Sequence, residues 1–149
     1  MMLSISDIAA GLRRANPESV AGLTDAEMKC VREQWGIRKF PARYEEFLSL
    51  MGRGAGRILL GTDAFFPEIL EMRRASDEFF ADNPEGMDLP DGAVVFAMHQ
   101  GYQVYWMDSS TLQDPPVSLC MEGERAPMAH WASFTEFLNS EYLNVHPGF

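Results

Sequence analysis

AVVFAMHQGYQVYWM, residues 93–107, decides the fold. Two short runs rich in β-branched and aromatic residues, AVVFAM and YQVYWM, flank a turn segment, His99-Gln100-Gly101. That arrangement predicts a β-hairpin. The second run carries large apolar groups on both alternating sets: Tyr102, Val104 and Trp106 on one face, Tyr105 and Met107 with Gln103 on the other. A strand apolar on both faces is buried between layers. Tyr102, Tyr105 and Trp106 therefore read mainly as sheet and packing, and the stretch as strands and a turn rather than a reaction site.

Downstream of the hairpin, DSSTLQDPP (108–116) reads as a loop and VSLCM (117–121) as a third strand. Ser133 opens a closing helix with SFTE, a capping box followed by Phe137 and Leu138. Upstream, residues 4–15 place Ile5, Ile8, Ala9 and Leu12 on one helical face, and Asn16-Pro17 stops the helix. Thr24 and Glu27 form a capping box for a second helix with Met28, Val31 and Trp35 as its stripe and Gly36 as its end. Pro41 starts a third, burying Tyr44, Phe47, Leu48 and Met51 before Gly52 caps it. A short strand is expected at residues 57–60. A fourth helix is expected from about Pro67, with Ile69, Leu70, Met72, Arg73 and Phe80 in range of its face. Helices, then a sheet, then a closing helix specify an α+β domain. Trp35, Phe47, Leu48, Phe96, Trp106 and Phe134 are its expected core.

Length and charge narrow the function. The chain has 149 residues, 46% of them hydrophobic, which suits one domain with a real core. Twelve lysines and arginines stand against 22 acids, a net charge of −10. Nucleic acid and anionic membranes need cationic groups to displace counterions, so neither is an expected partner. Basic proteins are favoured instead. Apolar runs such as AVVFAM are far too short to span a membrane. The opening MMLSISDIAAGLRRA carries Asp7 early and lacks a continuous apolar core, so no export signal is read and a cytoplasmic location is expected. Cys30 and Cys120 lie in apolar surroundings without zinc spacing and are expected to be buried thiols.

The search for chemistry returns little. GRGAG (52–56) lacks the lysine and hydroxyl residue of a phosphate loop and reads as a helix-to-strand turn. His99 is the best acid–base candidate, and an enzyme reading would pair it with Asp108. A hairpin position, exposed or hydrogen-bonded, explains it more simply. No nucleophile motif, metal-binding HExxH or paired-carboxylate motif is present, and His130 and His146 stand alone. No catalytic residue, metal or cofactor is expected. The outlier is DEFFADNPEGMDLPD (77–91), where Asp77, Glu78, Asp82, Glu85, Asp88 and Asp91 occur without a single lysine or arginine. The spacing does not fit a calcium loop. The segment is either a solvated helix end and loop or a docking surface for a basic partner. His99 and Tyr102 at the hairpin turn join it as candidate partner-binding residues, with Phe79, Phe80 and Tyr102 as aromatic anchors if exposed.

Taken together, TDAEMKCVREQWGIRKFPARYEEFLSLMGRGAG (24–56), LPDGAVVFAMHQGYQVYWMD (89–108), DPPVSLCMEGE (114–124) and WASFTEFL (131–138) resemble the SUKH superfamily of Smi/Knr-type domains. Gly36, Ile37, Pro41, Tyr44, Phe47 and Leu48 match its helix-opening motif, with Phe40 where leucine is usual. The usual Asn-Gly-Gly turn is replaced by Met51-Gly52-Arg53-Gly54, and residues 62–88 have no firm counterpart. The resemblance implies a SUKH-like domain over residues 24–149 behind an N-terminal helical extension, 1–23. Its α+β fold would have a central, mainly antiparallel sheet flanked by helices. It also implies a non-catalytic function. Bacterial members bind and neutralise a cognate toxin, often a nuclease or deaminase, delivered by contact-dependent or secretion systems. The partner would then be a toxin protein with a basic surface. The family's eukaryotic branch suggests the alternative, a regulatory or scaffold module without a toxin partner.

Overall fold

A computed structural model describes residues 2–146. Helix α1 (Ile5–Ala15) is capped by Ser4, and its buried stripe of Ile5, Ile8, Ala9 and Leu12 joins the main core. Strand β1 (Val20–Ala21) follows, then α2 (Asp25–Trp35), whose capping box of Thr24 and Glu27 is formed as expected. Gly36 ends α2 at φ 70°, a left-handed conformation that glycine adopts without a Cβ clash.

Helix α3 (Ala42–Met51) buries Tyr44, Phe47, Leu48 and Met51. Gly52 caps it, but in right-handed geometry. Close approach is what calls for glycine there: a Cβ would stand 2.6 Å from both the Leu48 carbonyl oxygen and Leu23 Cγ. The GRGAG stretch itself contains β2 (Gly54–Ala55), which pairs antiparallel with β1.

The strand expected at residues 57–60 does not form. Ile58 N–H donates to the Ala55 carbonyl and Thr62 N–H to that of Leu59, so the chain coils through tight turns with Leu59 at φ 54°. Ile58 and Leu59 are buried all the same, so apolar character there reflects packing rather than pairing. Strand β3 (Thr62–Asp63) comes immediately after. The fourth helix begins as a 3-10 turn at Glu68–Glu71 and continues as α4 (Met72–Asp82).

The hairpin is present as β4 (Val94–His99) and β5 (Gln103–Met107), joined by residues 100–102 with Gln100 and Gly101 at φ 52° and 77°. With β6 (Val117–Met121) and β7 (Ala129–Trp131) the sheet runs β3-β4-β5-β6-β7, antiparallel throughout. Helix α5 (Phe134–Val145) closes the chain with Ser133 as its cap. Glu136 completes only half of the expected box, since its carboxylate takes the Ala132 N–H rather than that of Ser133.

This architecture is α+β, with three layers. Tyr44 of α3 and Phe134 and Phe137 of α5 pack on Phe96, and Phe137 meets Tyr105. On the opposite side, Phe80 of α4 packs on Trp106. Trp35, Phe47, Leu48, Phe96, Trp106 and Phe134 are all buried.

Candidate functional site

Helix α4 turns Met72, Ser76 and Phe79 inward at helical spacing, which leaves Asp77, Glu78 and Asp82 exposed. The chain then returns along a loop carrying Glu85, Asp88 and Asp91, also exposed. Arg125 Nε donates to the Glu85 carbonyl oxygen at 3.2 Å, and Met87 N–H to that of Glu124 at 3.1 Å, tying the loop to the β6–β7 turn. Among the described residues none of the six carboxylates enters an ion pair. Asp82 is the last residue of α4, and no base lies in that turn. The negative end of the helix dipole disfavours a carboxylate there, so this charge works against the stability of its own helix.

The anchors need correction. Phe79 is buried, and Phe80 is only half-exposed, packed on Phe79 at 5.1 Å and on Trp106 at 6.4 Å. Both mainly hold α4 to the sheet. Tyr102 is half-buried, with its ring 6.0 Å from that of His99. His99 Nδ1 lies 3.0 Å from Thr62 Oγ1, so the histidine is hydrogen-bonded at the hairpin as expected. Glu122 N–H donates to the Tyr102 carbonyl oxygen at 2.7 Å, which places the hairpin tip beside the β6–β7 turn, the turn to which the Glu85 loop is also tied. Asp77 lies farther along α4, on a cleft of about 310 Å³ lined also by Trp35, Ile37, Arg73, Ser76 and Leu89. Arg73 gives an N–H to the Trp35 carbonyl oxygen at 2.8 Å. The six carboxylates thus form a band along α4 and its return loop.

Charge is segregated along the chain in a way that composition alone hides. Residues 75–149 contain twelve Asp and Glu but a single base, Arg125; residues 1–74 are nearly balanced. The position of each lysine and arginine in the sequence carried this signal.

The enzyme pairing of His99 with Asp108 is not assembled. Gln103 pairs with His99 while Met107 precedes Asp108, so the two groups sit at opposite ends of the hairpin. Asp108 Oδ1 instead accepts from Trp106 Nε1 at 3.1 Å and Ser118 Oγ at 3.3 Å, and Ser118 Oγ is 3.1 Å from His130 Nδ1. This hydroxyl–imidazole contact escaped sequence reasoning because it depends on the β5–β6–β7 register, Trp106 opposite Ser118 opposite His130. It is no nucleophile triad: carboxylate and imidazole both engage the serine, so Asp108 does not orient the ring, and Ser118 is buried.

Cys30 is exposed, against expectation, because it falls outside the Met28–Val31–Trp35 stripe of α2. Cys120 is buried, and burial followed by the nearby Glu124 charge raises its thiol pKa. Among the described residues no three His, Cys, Asp or Glu side chains converge on a metal-sized site, and no helix is long and apolar enough to cross a membrane.

Residues 22–140 match the SMI1 / KNR4 family (SUKH-1). No curated protein matches the chain. Helix α1 lies ahead of the matched residues, yet its apolar stripe is part of the same core.

Proposed function

The chain belongs to the SMI1 / KNR4 family (SUKH-1), and from that premise we propose that it is a non-catalytic immunity protein. It binds and neutralises a cognate toxin of nuclease or deaminase type in the cytoplasm. The observation that carries this reading is the unpaired acidic band, Asp77, Glu78, Asp82, Glu85, Asp88 and Asp91, in a half-chain whose only base is Arg125. A protein that acts on nucleic acid presents cationic groups to a polyanion. An inhibitor that meets those groups with carboxylates gains attraction at long range and blocks the substrate at short range. Carboxylates that stabilise nothing in their own fold, as at the end of α4, suit such a use. His99 and Tyr102 at the adjacent hairpin tip extend the surface.

Co-production tests the proposal. Cells making the toxin domain encoded beside this gene should resume growth when the chain is supplied, and the two proteins should co-purify in a fixed ratio. Continued killing by the toxin at full chain expression, with no complex formed, would refute it.

A further inference from the structure

The face of the sheet under α5 is only partly covered. Tyr105 of β5 and Trp131 of β7 are both half-buried, and both pack against Phe137, with ring centroids 5.6 and 5.0 Å away. Phe137 is fully buried and forms a floor between them. Leu119 and Ala129, paired across β6 and β7, are also half-buried, so an apolar strip reaches the sheet edge beyond the helix.

Glu141 lies one helical turn past Phe137 and is half-buried. Its i,i+4 spacing sets it next to Phe137, on which both rings pack, and its charge adds to burial in raising the Tyr105 phenol pKa. Among the described residues the Glu141 side chain has no ion pair and no hydrogen bond. No cation of this half of the chain answers it either, because Arg125 is bonded to the Glu85 carbonyl oxygen. A half-desolvated carboxylate one helical turn from the floor of two half-buried aromatic rings is a combination that a cation completes. It would gain ion pairing from the carboxylate and ring-quadrupole attraction from tyrosine and tryptophan, while the strip of Leu119 and Ala129 covers an aliphatic stem.

We propose that Tyr105, Trp131 and Glu141 form a receptor for one cationic side chain, arginine or lysine, projected from a partner protein. The proposal rests on reading the domain as a binder of a basic protein, and it adds a specific anchor on a different element from the acidic band. Arginine suits the site better than lysine, since its planar guanidinium stacks on an aromatic face while pairing with a carboxylate.

The test separates this site from the toxin reading. The full chain is titrated with N-acetyl-arginine methylamide, and separately with its uncharged citrulline counterpart, while the three tryptophan indole N–H resonances are followed by NMR. Trp35 and Trp106 are internal controls, because their indoles already donate to Ile69 and Asp108. The arginine compound should shift the Trp131 signal alone. The citrulline compound should not, and Glu141→Gln should weaken the response at least tenfold with the other two signals unmoved. A Trp131 signal that stays still, or that moves equally with citrulline or in Glu141→Gln, overturns the proposal whatever the toxin experiment gives. A chain that fails to neutralise any toxin while passing this titration refutes the immunity reading and leaves the receptor standing.

Discussion

The rings of Tyr44 and Phe134 meet edge to face with centroids 5.4 Å apart, joining α3 to α5 in the middle of the core. Phe40, Phe47, Phe96 and Trp35 also pack on Tyr44, and its hydroxyl is buried without a hydrogen-bond partner. Burial pushes its pKa well above the ordinary tyrosine value. A buried hydroxyl without a partner costs about 1–3 kcal/mol of desolvation that the fold does not recover. Tyr44→Phe removes the oxygen and keeps the ring, so urea unfolding should show the variant more stable by about 1 kcal/mol. A loss of stability would mean that the hydroxyl is satisfied in solution.

Phe47 tests the same core by truncation. It stacks on Tyr44, meets Phe134 edge to face at 5.7 Å, and is 2% exposed. Phe47→Ala should cost about 3–5 kcal/mol in the same assay. A cost under about 1 kcal/mol would place the ring at the surface and α3 in a different packing.

The helices of this core were legible because their signals are local. Thr24 and Glu27 bracket the start of α2, Gly36 its end, and the Met28–Val31–Trp35 spacing its buried face. The β4–β5 hairpin was legible for the same reason. Strands β1, β2, β3 and β7 were not, since two or three residues carry no periodicity and pair only because the rest of the fold brings them together. Ile58 and Leu59 misled because burial in a turn and burial in a strand draw on the same residues. At the candidate site, the exposure of all six carboxylates followed from their sequence. The burial of Phe79 did not, as it depends on which face α4 presents to Trp106. The Tyr105–Trp131–Glu141 grouping joins three separate elements, and no stretch of sequence announces it.

The hairpin turn offers a stabilising change. Gln100 and Gly101 both have positive φ, and Tyr102 N–H donates to the His99 carbonyl oxygen at 3.2 Å, the φ signs of a type I′ turn within the three-residue loop that the His99–Gln103 pairing leaves. Asparagine tolerates the first position better than glutamine, whose left-handed backbone costs roughly 1–2 kcal/mol. Gln100→Asn should raise stability by about 0.5 kcal/mol, and Gly101→Ala should lower it by at least about 1 kcal/mol. Thermal melts of the two variants should move in opposite directions.

Glu141 predicts a pH dependence. Burial holds its carboxyl pKa above the ordinary range. Below the unfolded-state value of about 4.3 the group is protonated in both states and costs the fold nothing. As pH rises from there through the raised folded-state value, the unfolded chain gives up the proton more readily, and native stability falls. Glu141→Gln lacks this loss. Its stability relative to the native chain should therefore be lowest at acid pH and grow towards neutrality, as read from urea midpoints across that range. A difference that stays flat with pH would mean that the carboxylate is solvated or already paired.

The acidic band is tested by rate rather than by affinity alone. Replacing Asp77, Glu78, Asp82 and Glu85 with their amides removes four exposed charges without changing side-chain size. None of the four is in an ion pair, and Asp82 opposes its own helix dipole, so thermal stability should hold or rise slightly. Exposed charges act on a partner before contact, over a Debye length of roughly 8 Å at physiological ionic strength. Their removal should slow association with the cognate toxin much more than it speeds dissociation, and should flatten the dependence of association on salt. Glu141→Gln should do the reverse: an anchor half-removed from water resists departure, so its loss should appear mainly as faster dissociation. Stopped-flow association and dilution-driven dissociation, each across a salt series, separate the two. If the quadruple variant keeps the native association rate and salt slope, the band is only a solvated face. Recognition must then be sought at the hairpin tip, beginning with His99 and Tyr102.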